Sequence, residues 1–207
     1  MKIGICGGTF DPFHRGHLEP IVAARPGLQW DRILYVPAYR QPFKSEREFA
    51  SGHHRFAMSV LATEGHGEMF VTPLELERGA ISYTVDTLRE LRKTCGGETT
   101  LDWIIGDDNL ARLHEWREID AIFDLANFVV LTRSTAPVTP PAFASRVRSA
   151  QERGECGAIV FAQNRAVAVS STEIRKRVRD GAPIDELVDP RVSRYIHHYG
   201  LYKEGHS

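Results

Sequence analysis

Short apolar runs alternate with helical patterns along this chain, and that alternation constrains its fold more than any other feature of the sequence. Lys2–Gly7 reads as a buried first strand, and Arg32–Pro37, Leu101–Ile105 and Phe128–Leu131 read as later strands. Segments with the periodicity of amphipathic helices separate them. Because strands that alternate with helices favour βαβ units, the sequence predicts an α/β fold with a parallel sheet and helices on both faces.

Several segments between and after the strands have helical patterns. Gly16–Ala24 has a helical pattern that should stop near Pro26, because proline disrupts a helix interior. Phe143–Arg153 also reads as a helix, Ser171–Arg179 as a basic helix and Arg191–His198 as a closing helix. We expect residues 1–207 to form a single domain whose end, about residues 170–202, consists of the last two helices.

Charge and cysteine content exclude several classes of function. The chain has 26 Lys and Arg residues against 27 Asp and Glu, a formal net charge of −1 at pH 7. This balance argues against binding to a nucleic acid polymer or an anionic membrane surface. The cysteines form no CxxC pair, so we expect neither a disulfide framework nor a cysteine-based zinc site. Since there is no long apolar segment and no signal-peptide pattern, the sequence predicts a cytoplasmic protein.

The densest group of chemically useful side chains comes after the first strand, in the segment Gly7–His17. A glycine pair at its start lets a ligand approach the backbone closely. Free N–H groups here and at the start of the next helix form an anion site. His14 and His17 are three residues apart, so they can face one bound group if the helix begins between them. Each piece alone also has an ordinary explanation: glycine pairs usually make tight turns, and a lone histidine usually has no function.

A second anion site is predicted at the start of the basic helix near the C-terminus. Ser170 and Glu173 have the spacing of a capping box, and the free N–H groups of the first helical turn lie beside them. Ser171 and Thr172 add hydroxyl donors, and Arg175 can bind a phosphate through two N–H groups. The alternative interpretation is a well-capped, solvated basic helix without a ligand.

The two best-known phosphate fingerprints, GxGxxG and GxxxxGK[ST], are absent. The string from Gly7 to Leu18, G-G-T-F-D-P-F-H-R-G-H-L, instead resembles the signature of the HxGH nucleotidyltransferase superfamily, and most of all that of the bacterial nicotinate-nucleotide adenylyltransferases. Ser170–Arg175, S-S-T-E-I-R, resembles the second signature of that superfamily. Further similarity at Ser82–Leu88 and Leu113–Trp116 extends the resemblance to almost the whole chain. The resemblance implies a Rossmann-like nucleotidyltransferase fold.

The same resemblance implies an activity. It implies an enzyme of NAD biosynthesis that transfers AMP from ATP to nicotinate mononucleotide, giving deamido-NAD and pyrophosphate. Mg²⁺ would be carried by the ATP phosphates, and no protein metal site is expected. Adenylyl transfer to nicotinamide mononucleotide or to phosphopantetheine, or a non-catalytic nucleotide-binding module, remain alternatives. The sequence leaves open whether the chain forms a homo-oligomer.

The resemblance also assigns roles to individual residues. The implied catalytic residues are His14, His17, Lys44 and Arg175. The implied ATP-binding residues are Gly7, Gly8, Thr9, Phe10, Gly16, Gly106, Asp108, Ser170, Ser171 and Thr172. On the mononucleotide side the implied residues are Thr84 and Trp116, although a tryptophan in that position is otherwise most often part of the core.

Local clusters of basic residues would supply the charge that a small polyanion needs in a nearly neutral protein. We expect this charge to come from Lys44, from Arg55 and from the basic helix, which carries Arg175, Lys176, Arg177 and Arg179. Two segments, Ala38–Lys44 and Arg133–Thr135, depart from the pattern of the family. Contacts to the pyridine carboxylate are therefore not predicted.

Overall fold

The computed structural model describes residues 1–40, 50–132 and 139–203. The strands in these ranges are β1 (Lys2–Gly8), β2 (Arg32–Pro37), β3 (Met69–Val71), β4 (Thr100–Gly106), β5 (Asn127–Leu131) and β6 (Ile159–Phe161). They form one parallel sheet in the order β3-β2-β1-β4-β5-β6. The predicted α/β class and the parallel sheet are confirmed.

Helices follow most of the strands. The α-helices are α1 (Arg15–Leu28), α2 (Gly52–Thr63), α3 (Leu74–Arg78), α4 (Thr84–Cys95), α5 (Asp107–Leu110), α6 (Ile119–Leu125), α7 (Ser171–Arg179) and α8 (Pro190–Tyr199). Short 3₁₀ helices span Leu113–Glu115 and Pro141–Arg146. Within the described ranges, none of the helices has the length and apolar character needed to cross a membrane.

The strand order reverses between β1 and β4, and this reversal positions the functional cleft. The chain adds β2 and β3 on one side of β1 and then returns to place β4 on the other side. Loops that leave neighbouring strands in opposite directions separate there and open a crevice beyond the carboxyl ends of the strands. Gly8 at the end of β1 and Gly106 at the end of β4 therefore border the crevice.

The sheet buries a hydrophobic layer on each face. One layer joins α1, α2, α7 and α8 to the sheet through residues such as Ile21, Met58, Ile174 and Ile196. The other layer joins α4 and α6 to the opposite face and contains Leu88, Ile122 and Phe123, together with Trp103 from β4. The first layer is closed by helices from both ends of the sequence. Helices α7 and α8, near the C-terminus, pack on it together with α1.

The first helix is longer than predicted, and the expectation that it ends near Pro26 was wrong. Helix α1 runs to Leu28 with Pro20 and Pro26 inside it. Its buried face, which includes Ile21 and Leu28, packs on the sheet, and that burial outweighs the weak propensity of the interrupted backbone. The helix ends only where Gln29 adopts the left-handed conformation, with φ 54°.

The predicted helix over Phe143–Arg153 was also wrong. Only the 3₁₀ helix Pro141–Arg146 forms, and residues 147–153 contain no α-helix. Val147 makes a parallel bridge with Ile159, and the N–H of Arg148 donates to the Ile159 carbonyl at 3.0 Å. Strand-like pairing at the edge of β6 therefore replaces helical hydrogen bonds in this segment.

A buried ionic cluster fixes the end of this segment to the sheet. The Asp102 carboxylate on β4 accepts hydrogen bonds from Trp30 Nε1 at 2.7 Å and Asn127 Nδ2 at 3.0 Å, and its Oδ2 lies 3.0 Å from Arg153 Nη2. Arg153 also donates to the Leu28 carbonyl at 2.5 Å, at the end of α1. Both charged side chains are almost fully buried, so each depends on the other for its stability in the interior.

We expect Arg153→Ala to lower the free energy of unfolding by about 3–5 kcal/mol, because it leaves the Asp102 carboxylate buried without its ionic partner. Urea denaturation measures this loss. Arg148→Ala is the matched control, since the Arg148 guanidinium is exposed and donates only to nearby carbonyl groups. A loss no larger than that of the control would show that the ionic cluster is not needed for stability.

Candidate active site

A cleft of about 1100 Å³ lies at the carboxyl ends of β1 and β4. The loop after β1 forms one wall, and the beginning of α7 stands opposite it. Residues around Gly106 and the start of α4 continue the cleft in the other direction. The volume and the position at the strand reversal are those of a ligand site in a parallel sheet.

Every predicted site residue in the described part of the chain lines this cleft. Lys44 lies outside the described residues, and its placement stays a prediction. The residues that the structure brings together are His14, His17, Arg175, Gly7, Gly8, Thr9, Phe10, Gly16, Gly106, Asp108, Ser170, Ser171, Thr172, Thr84 and Trp116. Two motifs separated by more than 150 positions in the sequence thus share one cavity.

The two histidines of the first loop form a stacked pair at the start of α1. His14 has extended backbone geometry and precedes the first helical residue, whereas His17 is in the first turn. Their ring centroids are 3.7 Å apart, and the His14 N–H donates to His17 Nδ1 at 3.3 Å. A side chain on Gly16 would place its Cβ 3.0 Å from the His14 ring, so any larger residue here would require that ring to shift.

The phenyl ring of Phe10 supports the histidine pair from the core. Phe10 is buried, and its ring packs edge-on against His17 with a centroid distance of 5.0 Å. Its backbone is in the left-handed region, with φ 53°. A Cβ on Gly8 would lie 2.7 Å from this ring. Phe10 therefore shapes the first loop through packing, and its side chain is turned into the core.

The second motif is joined directly to the first. Ser170 caps α7 by accepting a hydrogen bond from the Glu173 N–H at 3.2 Å, as its spacing predicts. The Ser171 hydroxyl donates to the Pro12 carbonyl at 3.1 Å. Arg175 Nη1 donates to the Asp11 carbonyl at 2.6 Å, and its Nη2 donates to Thr172 Oγ1 at 3.3 Å. These bonds orient the start of α7 over the first loop.

Asp11 is a residue of the cleft that the sequence analysis did not single out, although it lies within the first motif. Its Oδ1 accepts hydrogen bonds from the Tyr202 hydroxyl at 2.6 Å and from the Ala50 N–H at 3.2 Å. Its Oδ2 lies 3.7 Å from Arg175 Nη1. Burial raises the pKa of this carboxyl, while Tyr202 and Arg175 oppose that shift. The sequence did contain a signal for Asp11, because a charged residue flanked by apolar residues in a glycine-containing loop is unusual.

Arg55 was wrongly expected to supply charge to a ligand. The guanidinium is buried, and it donates to the carbonyl groups of Thr9 at 2.7 Å, Ala38 at 2.8 Å and Ala50 at 3.0 Å. Burial lowers its pKa, and the charge of Asp11 opposes this shift. Arg55 therefore holds the loops around the cleft together.

The basic helix also contributes less charge than expected. Lys176 pairs with Asp180 at 2.5 Å, and Arg177 pairs with Glu173 at 2.8 Å, both on the outer surface. Of the basic residues on α7, Arg175 lines the cleft. The interpretation of α7 as a solvated basic helix is correct for its outer face, and the interpretation as an anion site fits its first turn.

The far end of the cleft contains the residues predicted for the acceptor. Thr84 begins α4, and Trp116 comes directly after the 3₁₀ helix Leu113–Glu115. The Trp116 ring also packs edge-on against Phe128 with a centroid distance of 5.7 Å, so it belongs partly to the core. Glu75 is also buried here and accepts a hydrogen bond from Thr87 Oγ1 at 2.6 Å.

Comparison with known proteins agrees with this geometry. A model of the cytidylyltransferase-like family matches residues 5–177. A protein of Thermoanaerobacter sp. named "Probable nicotinate-nucleotide adenylyltransferase" is 35% identical over 207 residues, covering 99% of this chain and 95% of its own length. A protein of Gemmatimonas aurantiaca with the same name is 37% identical over 204 residues, covering 99% and 93%.

A solved structure shows the same fold. Plasmodium falciparum nicotinic acid mononucleotide adenylyltransferase complexed with NaAD superposes with a TM-score of 0.70 at 21% identity, and the match covers 97% of each chain. The structure of that enzyme complexed with APC gives a TM-score of 0.71 at 19% identity, covering 97% of this chain and 96% of the other. At these identities the likeness establishes the fold.

The buried Glu75 gives a pH dependence that can be measured. Burial raises its pKa above the ordinary value of 4.5. Below pH 4.5 the Glu75 carboxyl is protonated in both the folded and the unfolded protein. As the pH rises, the unfolded chain releases the proton first, so wild-type stability falls until the pH passes the folded-state pKa.

We therefore expect the stability of the wild type relative to Glu75→Gln to decrease between pH 4 and pH 7, as measured by urea unfolding at several pH values. Glu77→Gln removes a carboxyl from the exposed side of the same helix and controls for the lost charge. A stability difference that stays constant or grows with pH would contradict the burial argument.

Proposed function

This chain belongs to the cytidylyltransferase-like family, and we propose that it transfers AMP from ATP to nicotinate mononucleotide, with deamido-NAD and pyrophosphate as products. One observation carries the proposal: the loop before α1 and the start of α7, the two segments predicted to bind anions, are hydrogen-bonded to each other beside a single cleft. The names of the relatives, which match over nearly the whole chain, support the choice of acceptor.

The chemistry explains why no side-chain nucleophile is required. The attacking group is a phosphate oxygen of the mononucleotide, whose second pKa of about 6 leaves it largely ionised at neutral pH. It displaces pyrophosphate from the α-phosphorus of ATP. The protein has to align the two phosphates and stabilise the negative charge that moves to the leaving group.

We assign that stabilisation first to the histidine pair. His17 Nδ1 accepts the His14 N–H, so a neutral His17 ring carries its proton on Nε2. That N–H is then a donor for an ATP phosphate oxygen. The stacked His14 ring orients His17 and contributes a second polar edge to the same phosphate region.

The remaining contacts to ATP are assigned to the two loops. Backbone N–H groups of Gly7–Phe10 and of Ser170–Thr172 are suited to phosphate oxygens. The Ser171 hydroxyl already donates to a protein carbonyl, whereas the Ser170 hydroxyl accepts from the Glu173 N–H and can still donate its own proton. Arg175 and Lys44 would bind the triphosphate, with Gly106 and Asp108 completing the ATP side. Thr84 and Trp116 would contact the mononucleotide, with the Trp116 ring beside the pyridine.

We propose Mg²⁺ as the accompanying ion, carried on the ATP phosphates with mostly water ligands. In the described part of the chain, no three His, Cys, Asp or Glu side chains are grouped closely enough to hold a metal ion. Around the first loop and the start of α7, the cleft presents backbone N–H groups, hydroxyls and the Arg175 guanidinium, a donor set suited to phosphate. When bound, the ion offsets the negative charge of the triphosphate.

We also propose that residues 1–207 work as one domain in the cytoplasm. Residues of α7 and α8 pack in the same hydrophobic layer as α1, which supports the single domain. Cys6, Cys95 and Cys156 are all free thiols, which fits a reducing compartment.

We expect His17→Ala to lower kcat at least 100-fold, or about 2.7 kcal/mol of transition-state stabilisation, because a donor to the reacting phosphate is lost. Steady-state pyrophosphate release at saturating substrates measures the effect. His53→Ala, on the exposed side of α2, is the control and should retain wild-type turnover. Turnover of His17→Ala near the wild-type value would rule out this role.

A pyrophosphate-release assay with ATP and four separate acceptors tests the reaction itself. The acceptors are nicotinate mononucleotide, nicotinamide mononucleotide, phosphopantetheine and glycerol phosphate. We expect the highest kcat/KM with nicotinate mononucleotide. Activity confined to phosphopantetheine or glycerol phosphate would contradict the proposed acceptor, and the absence of pyrophosphate with all four would indicate a non-catalytic binding module.

A further inference from the structure

We propose that Tyr202 is a positioning residue of the nucleotide site, acting through Asp11 on Arg175. This inference rests on the proposed function only in that Arg175 binds the ATP phosphates. Tyr202 comes after α8 and does not line the cleft, and neither sequence motif includes it. Its hydroxyl nevertheless makes a short hydrogen bond to a residue of the first loop.

The contact of Tyr202 with Asp11 is specific. The hydroxyl donates to Asp11 Oδ1 at 2.6 Å, the length of a bond to a charged acceptor. Tyr202 adopts φ 65°, which is unfavourable for a bulky residue. The preceding turn is set by the Leu201 N–H, which donates to the Ile196 carbonyl at 3.0 Å. The chain thus accepts an unfavourable backbone conformation at the residue whose hydroxyl reaches Asp11.

Asp11 also contacts Arg175. Arg175 Nη1 donates to the Asp11 carbonyl at 2.6 Å and lies 3.7 Å from Asp11 Oδ2. With Nη2 directed to Thr172 Oγ1, the guanidinium plane is fixed by one residue from each motif. The main chain of Asp11 thus holds the guanidinium, while its carboxylate, 3.7 Å away, sets the negative charge that Arg175 faces beside the cleft.

The Tyr202 hydroxyl holds that carboxylate in place. Oδ1 has two donors, and Tyr202 is the nearer of them, with the Ala50 N–H at 3.2 Å. Without the hydroxyl, the carboxylate loses its shorter bond and can turn toward the guanidinium. Its negative charge then competes with a phosphate for Arg175, and ATP affinity falls.

Tyr202→Phe removes the hydroxyl and keeps the ring. We expect the Kd for ATP, measured by calorimetric titration of the full chain, to rise about fivefold, the size of one net hydrogen bond. The Kd for nicotinate mononucleotide should not change. Tyr195→Phe is the matched control, because it removes a hydroxyl that bonds His54 Nδ1 at 2.9 Å, on α8 and away from the cleft. This control should leave both affinities at their wild-type values.

A double-mutant cycle separates positioning from mere anchoring of the residues after α8. In an Arg175→Gln background, Tyr202→Phe should change the Kd for ATP by less than about twofold, since the residue through which it acts is gone. The same fivefold loss in both backgrounds, or an equal loss of mononucleotide affinity, would show that Tyr202 only anchors the chain.

Two further measurements keep the outcomes distinct. If Tyr202→Phe does not fold, Asp11→Asn replaces it in the same cycle, and an additive effect with Arg175→Gln would equally overturn the proposal. If the wild type binds ATP but releases no pyrophosphate with nicotinate mononucleotide, the proposed function fails. The ATP-binding cycle still reports the coupling of Tyr202 to Arg175 in that case.

Discussion

The central strand β1 lacks side chains at the two places where tryptophan rings cover it, and the architecture of the cleft depends on this close approach. A Cβ on Gly4 would lie 2.9 Å from the Trp30 ring on one face, and a Cβ on Gly7 would lie 2.8 Å from the Trp103 ring on the other. Trp30 is further held by its bond to Asp102. Trp103 packs in the opposite layer and also lines the cleft. Because Gly7 has no side chain, the Trp103 ring packs against its backbone and the cleft extends to the end of β1.

The structure shows how a nearly neutral protein can present positive charge to a small polyanion. Most cationic groups near the cleft are bound to protein acceptors: Arg55 donates to four carbonyl groups, and Arg177 is paired with Glu173. The groups that line the cleft and suit an anion are directional: the starts of two helices, the histidine pair and the Arg175 guanidinium, which contacts both motifs. Such an arrangement is suited to a small polyanion, whereas a long polyanion would need charge spread over a surface.

Sequence reasoning was most successful where one local pattern decides the outcome. The strands are predicted by apolar runs, and the cap at Ser170 is predicted by its spacing to Glu173. It failed where distant contacts override local preference, as in α1, which continues past Pro26 because its buried face packs on the sheet, and after Arg146, where pairing with β6 replaces a helix. The junction formed by Asp11, Arg175 and Tyr202 could not be predicted from the sequence, because no spacing rule relates residues so far apart.

That junction has a consequence for how the protein is made. The hydrogen bond between Tyr202 and Asp11 spans 191 positions of the sequence. During synthesis the early residues emerge first, and the β1 loop with its histidines exists long before its partners on α7 and after α8. The nascent chain therefore lacks these contacts through most of translation. They form only when the last-made helices have docked, so the order of synthesis leaves the cleft incomplete until folding is nearly finished.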